Sequence, residues 1–241
     1  MPTILITGAN RGIGLALTQS YLSRGDDVIA TCRAPEKATA LQALSKQHSG
    51  LTILPLEVTD PDSIAHLVAT LGNRPIDILI NNAGVLSGST HPFTSLDIDP
   101  AQTLGTIDAE EWDTILRINT IAPIMVTQAL LPNLKQAMTR KIAMISSGSG
   151  SITKAIEHDY MAYGSSKAAL NYAMKSVSFA LQKDGFVVVS LNPGWVKTDM
   201  GSCDADLTPQ ESAARLMRVI DTLTPEQTGQ FIRHTGELIP W

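Results

Sequence analysis

The chain has 241 residues and a mass of 25.8 kDa, and with 44% hydrophobic residues it is long enough to bury one large core. A formal charge of -5 and a pI near 5.5, with no run of Lys or Arg, leave no electrostatic footprint for a polyphosphate backbone, so a nucleic-acid partner is not expected. Cys32 and Cys203 form neither a disulfide framework nor a metal-binding pair, and the five histidines lack ligand spacing; a reducing, cytoplasmic setting and no metal are expected.

Short apolar runs alternate with longer segments of helical period. The runs at 3–7, 27–32 and 51–56 are followed by helices starting near Gly12, Pro35 and Pro61. The N-terminus has no basic stretch before its first apolar run and does not read as a signal peptide. A run at 76–80 leads into the polar segment 86–106, which holds Pro92 and Pro100 and predicts a long surface loop. A helix then opens at Ala109 and Glu110. The uncharged stretch 118–134 is interrupted by Asn119, Pro123, Gln128 and Pro132, which predicts a buried helix and no membrane span. A strand at 141–146, a helix around 160–183, a strand at 186–191, a helix opening at Thr208 and Pro209, and a strand at 230–234 complete the chain.

Boundary chemistry agrees with this alternation. Gly25 and Gly185 stand where helices end, and Asp60-Pro61 and Thr208-Pro209 pair an N-cap with a proline in the first turn. No linker, charge block or repeat divides the chain. The predicted fold class is α/β: a single-domain Rossmann-type doubly wound sheet of about seven mainly parallel strands, helices on both faces, spanning 1–241.

The segment TGANRGIG at 7–14 follows the first apolar run directly. Gly8, Gly12 and Gly14 suit a strand-to-helix turn that holds a dinucleotide pyrophosphate, and the absence of a GK[ST] ending disfavours a nucleoside triphosphate. The second strand ends at Arg33 with no acid before Glu36, and Arg11 lies inside the glycine turn. Two cations near one pocket favour a ribose 2′-phosphate over a free 2′-hydroxyl, hence NADP(H) as cofactor. Tyr163 and Lys167, four apart in YGSSK, put a phenol beside an ammonium on one helix face. Tyr21, Tyr160 and Tyr172 are followed four residues later by Gly25, Gly164 and Ser176, so none has such a partner.

With these landmarks stand Asn81-Asn82-Ala83-Gly84, Asn119, Ser146-Ser147 and PGWVKTDM at 193–200. In this order, over nearly the full length, they resemble the short-chain dehydrogenase/reductase family. The GWVKTDM segment and the ending GELIPW at 236–241 are most similar to the C-factor and Sniffer-type carbonyl reductase branch. The resemblance implies that Tyr163 is the general acid, that Lys167 lowers its pKa and holds the nicotinamide ribose, that Ser147 steadies the carbonyl oxygen, and that Asn119 keeps a relay water on Lys167. It places Gly8, Asn10, Arg11, Gly12, Ile13, Gly14, Arg33, Glu57, Val58, Asn82, Ala83, Gly84, Tyr163, Lys167, Pro193, Gly194, Val196 and Thr198 around the cofactor. The expected activity is NADPH-dependent reduction of aldehyde or ketone carbonyls; the alternative is a cofactor-binding regulator of C-factor type with little turnover. The partner is a small carbonyl or alcohol substrate, with no membrane involved, and a homo-oligomer, with a dimer favoured.

The chain departs from the family pattern in places. Glu57 stands where Asp is usual. Ser147 lies 16 residues before Tyr163, about three more than the usual spacing, so Ser149, at 14, competes for its role. The substrate lid between Thr198 and Thr208 is short.

Overall fold

The computed structural model describes residues 1–87, 102–155 and 160–241. Most of the loop expected at 86–106, with Pro92 and Pro100, lies outside them.

The first half alternates β1 (Thr3–Thr7), α1 (Gly12–Arg24), β2 (Asp27–Cys32), α2 (Thr39–Ser45), β3 (Leu51–Pro55), α3 (Pro61–Leu71) and β4 (Ile78–Asn81). The second half runs α4 (Ala109–Leu116), α5 (Ala122–Gln136), β5 (Lys141–Ile145), α6 (Met161–Leu181), β6 (Val187–Asn192), α7 (Pro209–Thr222) and β7 (Phe231–Arg233). The strands form one seven-stranded sheet in the order β3-β2-β1-β4-β5-β6-β7, and every pairing is parallel.

Both faces of the sheet are covered, so its strands alternate between two cores instead of between core and solvent. Ile4, Ile6, Val28, Ala30, Ile78 and Ile80 face a core shared with α1 and α7, while Leu5, Ile29 and Leu79 face one shared with α3, α5 and α6. The apolar stretch 118–134 is explained by this second core, into which α5 sends Val126, Leu130 and Leu134. The continuous helical run Ala109–Gln136 is long and apolar enough to cross a membrane by composition alone; Val126, Leu130 and Leu134 from it enter the second core, while Ile121 and Met125 stay exposed.

The helix ends follow the expected chemistry. Gly25 and Gly185 adopt φ 94 and 76°, the Asp60 carboxylate accepts from Asp62 N, and Thr208 and Glu211 form a reciprocal capping box. Most expected boundaries hold to within a residue, but two element starts differ by more. The helix expected from Pro35 begins as a single tight turn, Pro35–Lys37, and the α-helix starts only at Thr39. The strand expected at 76–80 is displaced to Ile78–Asn81, because Ile76 N is spent on Asn133 O of α5 at 3.3 Å.

Candidate active site

Strand order reverses between β1 and β4, and the carboxyl ends of these neighbours open into a cleft of about 540 Å³. In doubly wound sheets this is where a dinucleotide lies. Gly8, Asn10, Arg11, Gly12 and Ile13 line the cleft from the turn after β1, and Arg33, Glu57 and Val58 from the ends of β2 and β3. Asn82, Ala83 and Gly84 contribute from β4, Tyr163 and Lys167 from α6, and Pro193 and Thr198 from the segment after β6.

The glycine turn has no room for side chains. Gly8 has φ +64°, and a Cβ there would stand 2.9 Å from Ala83 Cα; one on Gly14 would stand 2.4 Å from Gly8 O and 2.5 Å from Asn82 Nδ2. Thr7 Oγ1 accepts from Asn82 N and Ala83 N, each at 3.0 Å, while Asn82 Nδ2 donates to Thr7 O at 2.9 Å and Gly8 O at 3.1 Å. The turn is thereby tied to the end of β4. Gly14, Gly194 and Val196, also expected at the cofactor, are not among the residues that line the cleft. Gly194 N donates to Asn192 Oδ1 at 3.1 Å, and the buried Val196 bridges to Leu207.

Several expected binding groups are already engaged within the protein. Arg11 pairs with Asp199 at 2.5 Å, both well exposed. The Glu57 carboxylate turns back onto Thr59, accepting from its hydroxyl at 2.9 Å and its N–H at 3.2 Å. Thr198 Oγ1 accepts from Gly201 N at 3.1 Å, and its methyl lies 3.2 Å from where a Cβ on Gly12 would be. Arg33 lines the cleft from an exposed position, and Lys37, which the sequence reading missed, joins it there. The signal was present in the four-residue spacing from Arg33; the tight turn Pro35–Lys37 brings the second cation back to the wall.

Behind Tyr163 the polar groups interlock. Lys167, buried at 5% exposure, donates from Nζ to Ile145 O at 2.9 Å and lies 5.7 Å from the Tyr163 ring centroid. Burial pushes its pKa down to about 8. Burial also raises the Tyr163 phenol above its ordinary value, and a hydrogen bond with Ser147 works in the opposite direction. That bond favours Ser147 over Ser149 as the serine beside the phenol, and Ser149 N donates to Ser147 Oγ at 3.2 Å.

Asn119 is fully buried in a wide π turn, Arg117–Ile121, inserted between α4 and α5. Such one-turn bulges re-aim side chains and recur at functional sites. Its amide exchanges two hydrogen bonds with the Val85 backbone, at 2.8 and 2.9 Å, and donates to Ser166 Oγ at 3.1 Å. A Cβ on Gly84 would stand 3.1 Å from Asn119 Oδ1 and 3.5 Å from Lys167 Nζ, so both polar groups converge on this glycine. Gln102, unnoticed in the sequence, is buried and accepts from Tyr163 N at 2.9 Å while donating to Leu86 O at 2.7 Å, which fixes the start of α6. No metal-ligating cluster occurs among the described residues.

A doubly wound parallel sheet with a glycine turn at its switch point and, beside it, a phenol in the cleft backed by a buried ammonium defines a dinucleotide-dependent oxidoreductase architecture. The chain belongs to the short chain dehydrogenase family, whose profile matches residues 2–207. It is 42% identical to the C-signal of Myxococcus xanthus over 69% of this chain and 93% of that one. Among solved structures it is similar to the NADPH-bound carbonyl reductase from chicken fatty liver, with 35% identity, a TM-score of 0.89 and coverage of 100% and 99% of the two chains. It is also similar to the carbonyl reductase Sniffer of D. melanogaster, with 33% identity, a TM-score of 0.88 and full coverage of both.

Proposed function

We propose that the protein is an NADPH-dependent oxidoreductase that reduces aldehyde or ketone carbonyls to alcohols, reversibly, in the cytoplasm. The observation that carries this reading is the Tyr163 phenol, lining the cleft, hydrogen-bonded by Ser147 and backed by the buried Lys167.

The residues fit the cofactor. The lack of side chains at Gly8 and Gly12 of the turn leaves backbone N–H groups at the start of α1 available to a pyrophosphate. Arg33 and Lys37 offer two cations where a 2′-phosphate would lie, and the chicken relative is NADPH-bound. NADPH bound there supplies the hydride. Ser147 orients the substrate carbonyl oxygen, and Tyr163 gives that oxygen its proton as the carbonyl carbon is reduced. A phenol carries its proton at neutral pH, as reduction requires; burial tightens the Tyr163 hold on that proton, and the lowering expected from Lys167 is not among the causes, Ser147 alone working in that direction. Lys167 would hold the ribose hydroxyls and, with Asn119 near it at Gly84, return a proton to Tyr163.

The likeness to C-signal favours a second reading, a cofactor-binding regulator, but such a protein has no use for the assembled Tyr163, Ser147 and Lys167. The deciding experiment is a panel of aldehydes and ketones followed by loss of NADPH absorbance, with NADH alongside. Turnover of at least one carbonyl is expected. NADPH binding with no consumption across the panel would reject the enzyme reading in favour of the regulator.

A further inference from the structure

The closing segment 236–241 does not line the cleft, yet it is bonded to the stretch of chain that carries Ser147. After β7 the backbone turns at Thr235 and Gly236 and runs back antiparallel. Leu238 bridges to Ile232, Arg233 N donates to Glu237 O at 2.8 Å, and Ile239 N donates to Phe231 O at 2.8 Å. This return brings Pro240 and Trp241 against two tight turns that follow β5, Gly148–Gly150 and Ile152–Lys154. Between them the fully buried Ser151 donates its hydroxyl to Pro240 O at 2.6 Å, with Trp241 O at 3.3 Å, and Thr153 N donates to Trp241 O at 2.8 Å. The Trp241 ring is anchored separately, stacked on Phe231 at 5.9 Å and 19°, with Lys175 Nζ of α6 6.0 Å from its centroid.

The opposite side of the same stretch presses on α6. Asn171 Nδ2 donates to Gly150 O at 3.1 Å, and a Cβ on Gly150 would stand 2.9 Å from Lys167 C and 3.0 Å from Lys167 Cβ. The segment bearing Ser147 is therefore held between the helix of Tyr163 and Lys167 and the returning tail. A hydroxyl that must meet a reacting oxygen tolerates little misplacement. A buried hydroxyl that loses its acceptor, or the reverse, is costly enough to hold such a segment in place.

We infer that the 236–241 return is a strap that sets Ser147 against Tyr163, with Ser151 as positioning residue and Trp241 as the anchor. This rests on the reading of Tyr163 as proton donor. The test compares the full chain with Trp241→Ala, Trp241→Phe and Ser151→Ala by amide hydrogen exchange over 147–154 and by steady-state kinetics. Trp241→Ala and Ser151→Ala are expected to speed exchange there by about tenfold or more. Both should lower kcat about tenfold with KM for NADPH within about twofold, and Trp241→Phe, which keeps the stack, should restore kcat. Unchanged exchange overturns the strap whether or not the protein turns over. Faster exchange with unchanged kcat, or equal losses in kcat and NADPH affinity, overturns the positioning role. A wild-type chain that consumes no carbonyl defeats the functional reading, and the exchange data then decide the strap alone. Should Trp241→Ala fail to fold, Ser151→Ala carries the comparison.

Discussion

Tyr163 and Lys167 share one wall of the cleft, and desolvation there moves them in opposite directions, since it disfavours whichever form is charged. Tyr163 keeps its proton at neutral pH, and its replacement by Phe should reduce kcat by about 10²–10⁴ while leaving NADPH binding nearly intact, read by turnover and by cofactor titration. Retention of most activity would remove Tyr163 from the mechanism. Lys167 has a folded pKa near 8 against an ordinary 10.5, so above pH 8 the unfolded chain binds more protons and stability rises with pH towards 10.5. The cost of burying the ammonium is fully present below pH 8. Lys167→Met removes that cost, so the cofactor-free variant should exceed the parent at pH 7 by at most about 3 kcal/mol, with the gap narrowing by pH 9.5. Urea midpoints measured at both pH values check this, and a gap independent of pH would refute it. At the adenosine end, Arg33→Ala should cut NADPH preference over NADH about tenfold in kcat/KM, equivalent to one charge contact of about 1.4 kcal/mol, and Lys37→Ala should act in the same direction. Equal use of both cofactors by the parent would end this role for both residues.

The turn between β1 and α1 shows how a local sequence becomes an element with a function. Gly14→Ala would drive a methyl into Gly8 O and Asn82 Nδ2, and neither the turn carbonyl nor the amide bonded to it can move without loosening Thr7 and β4. NADPH affinity should fall at least about tenfold, by isothermal titration, because the turn that presents the N–H groups must open. Elements of this kind were legible in the sequence because their chemistry is local: glycines, caps and a four-residue phenol–ammonium spacing are readable within one turn. What escaped was set by partners distant in sequence. Ile76 leaves the ladder because Asn133 takes its N–H, and Asn119 is re-aimed by a π turn that no residue type announces. Arg11 is answered by Asp199, 188 residues away, and Gln102 caps α6 from 61 residues away. Lys37 stood within reach of Arg33 all along, hidden by the expectation of a regular helix from Pro35.

At the scale of the molecule, the two cores flanking the sheet take up most strand residues, and the large apolar side chains left exposed on the helices are informative. Where α6 packs beside the π turn and α5, a large apolar group remains outside: Tyr172 is 77% exposed, Phe179 64%, Ile121 51% and Met125 44%. The sequence stripe of Ala168, Ala169, Tyr172 and Ser176 is thus divided in use. Its two alanines are half-buried, while Tyr172 and Ser176 face outward. A helix pair with small residues between large exposed ones can meet a second copy of itself closely about a two-fold axis. We propose a homodimer through this face. Light scattering at micromolar concentration should give a mass near twice 25.8 kDa. Tyr172→Glu should shift it towards the single-chain value, because an isologous contact places that carboxylate twice in one desolvated interface, where its like charge and lost hydration both oppose association. A wild-type mass of one chain would remove the dimer, and the exposed aromatic pair on α6 would then belong to an ordinary solvated face.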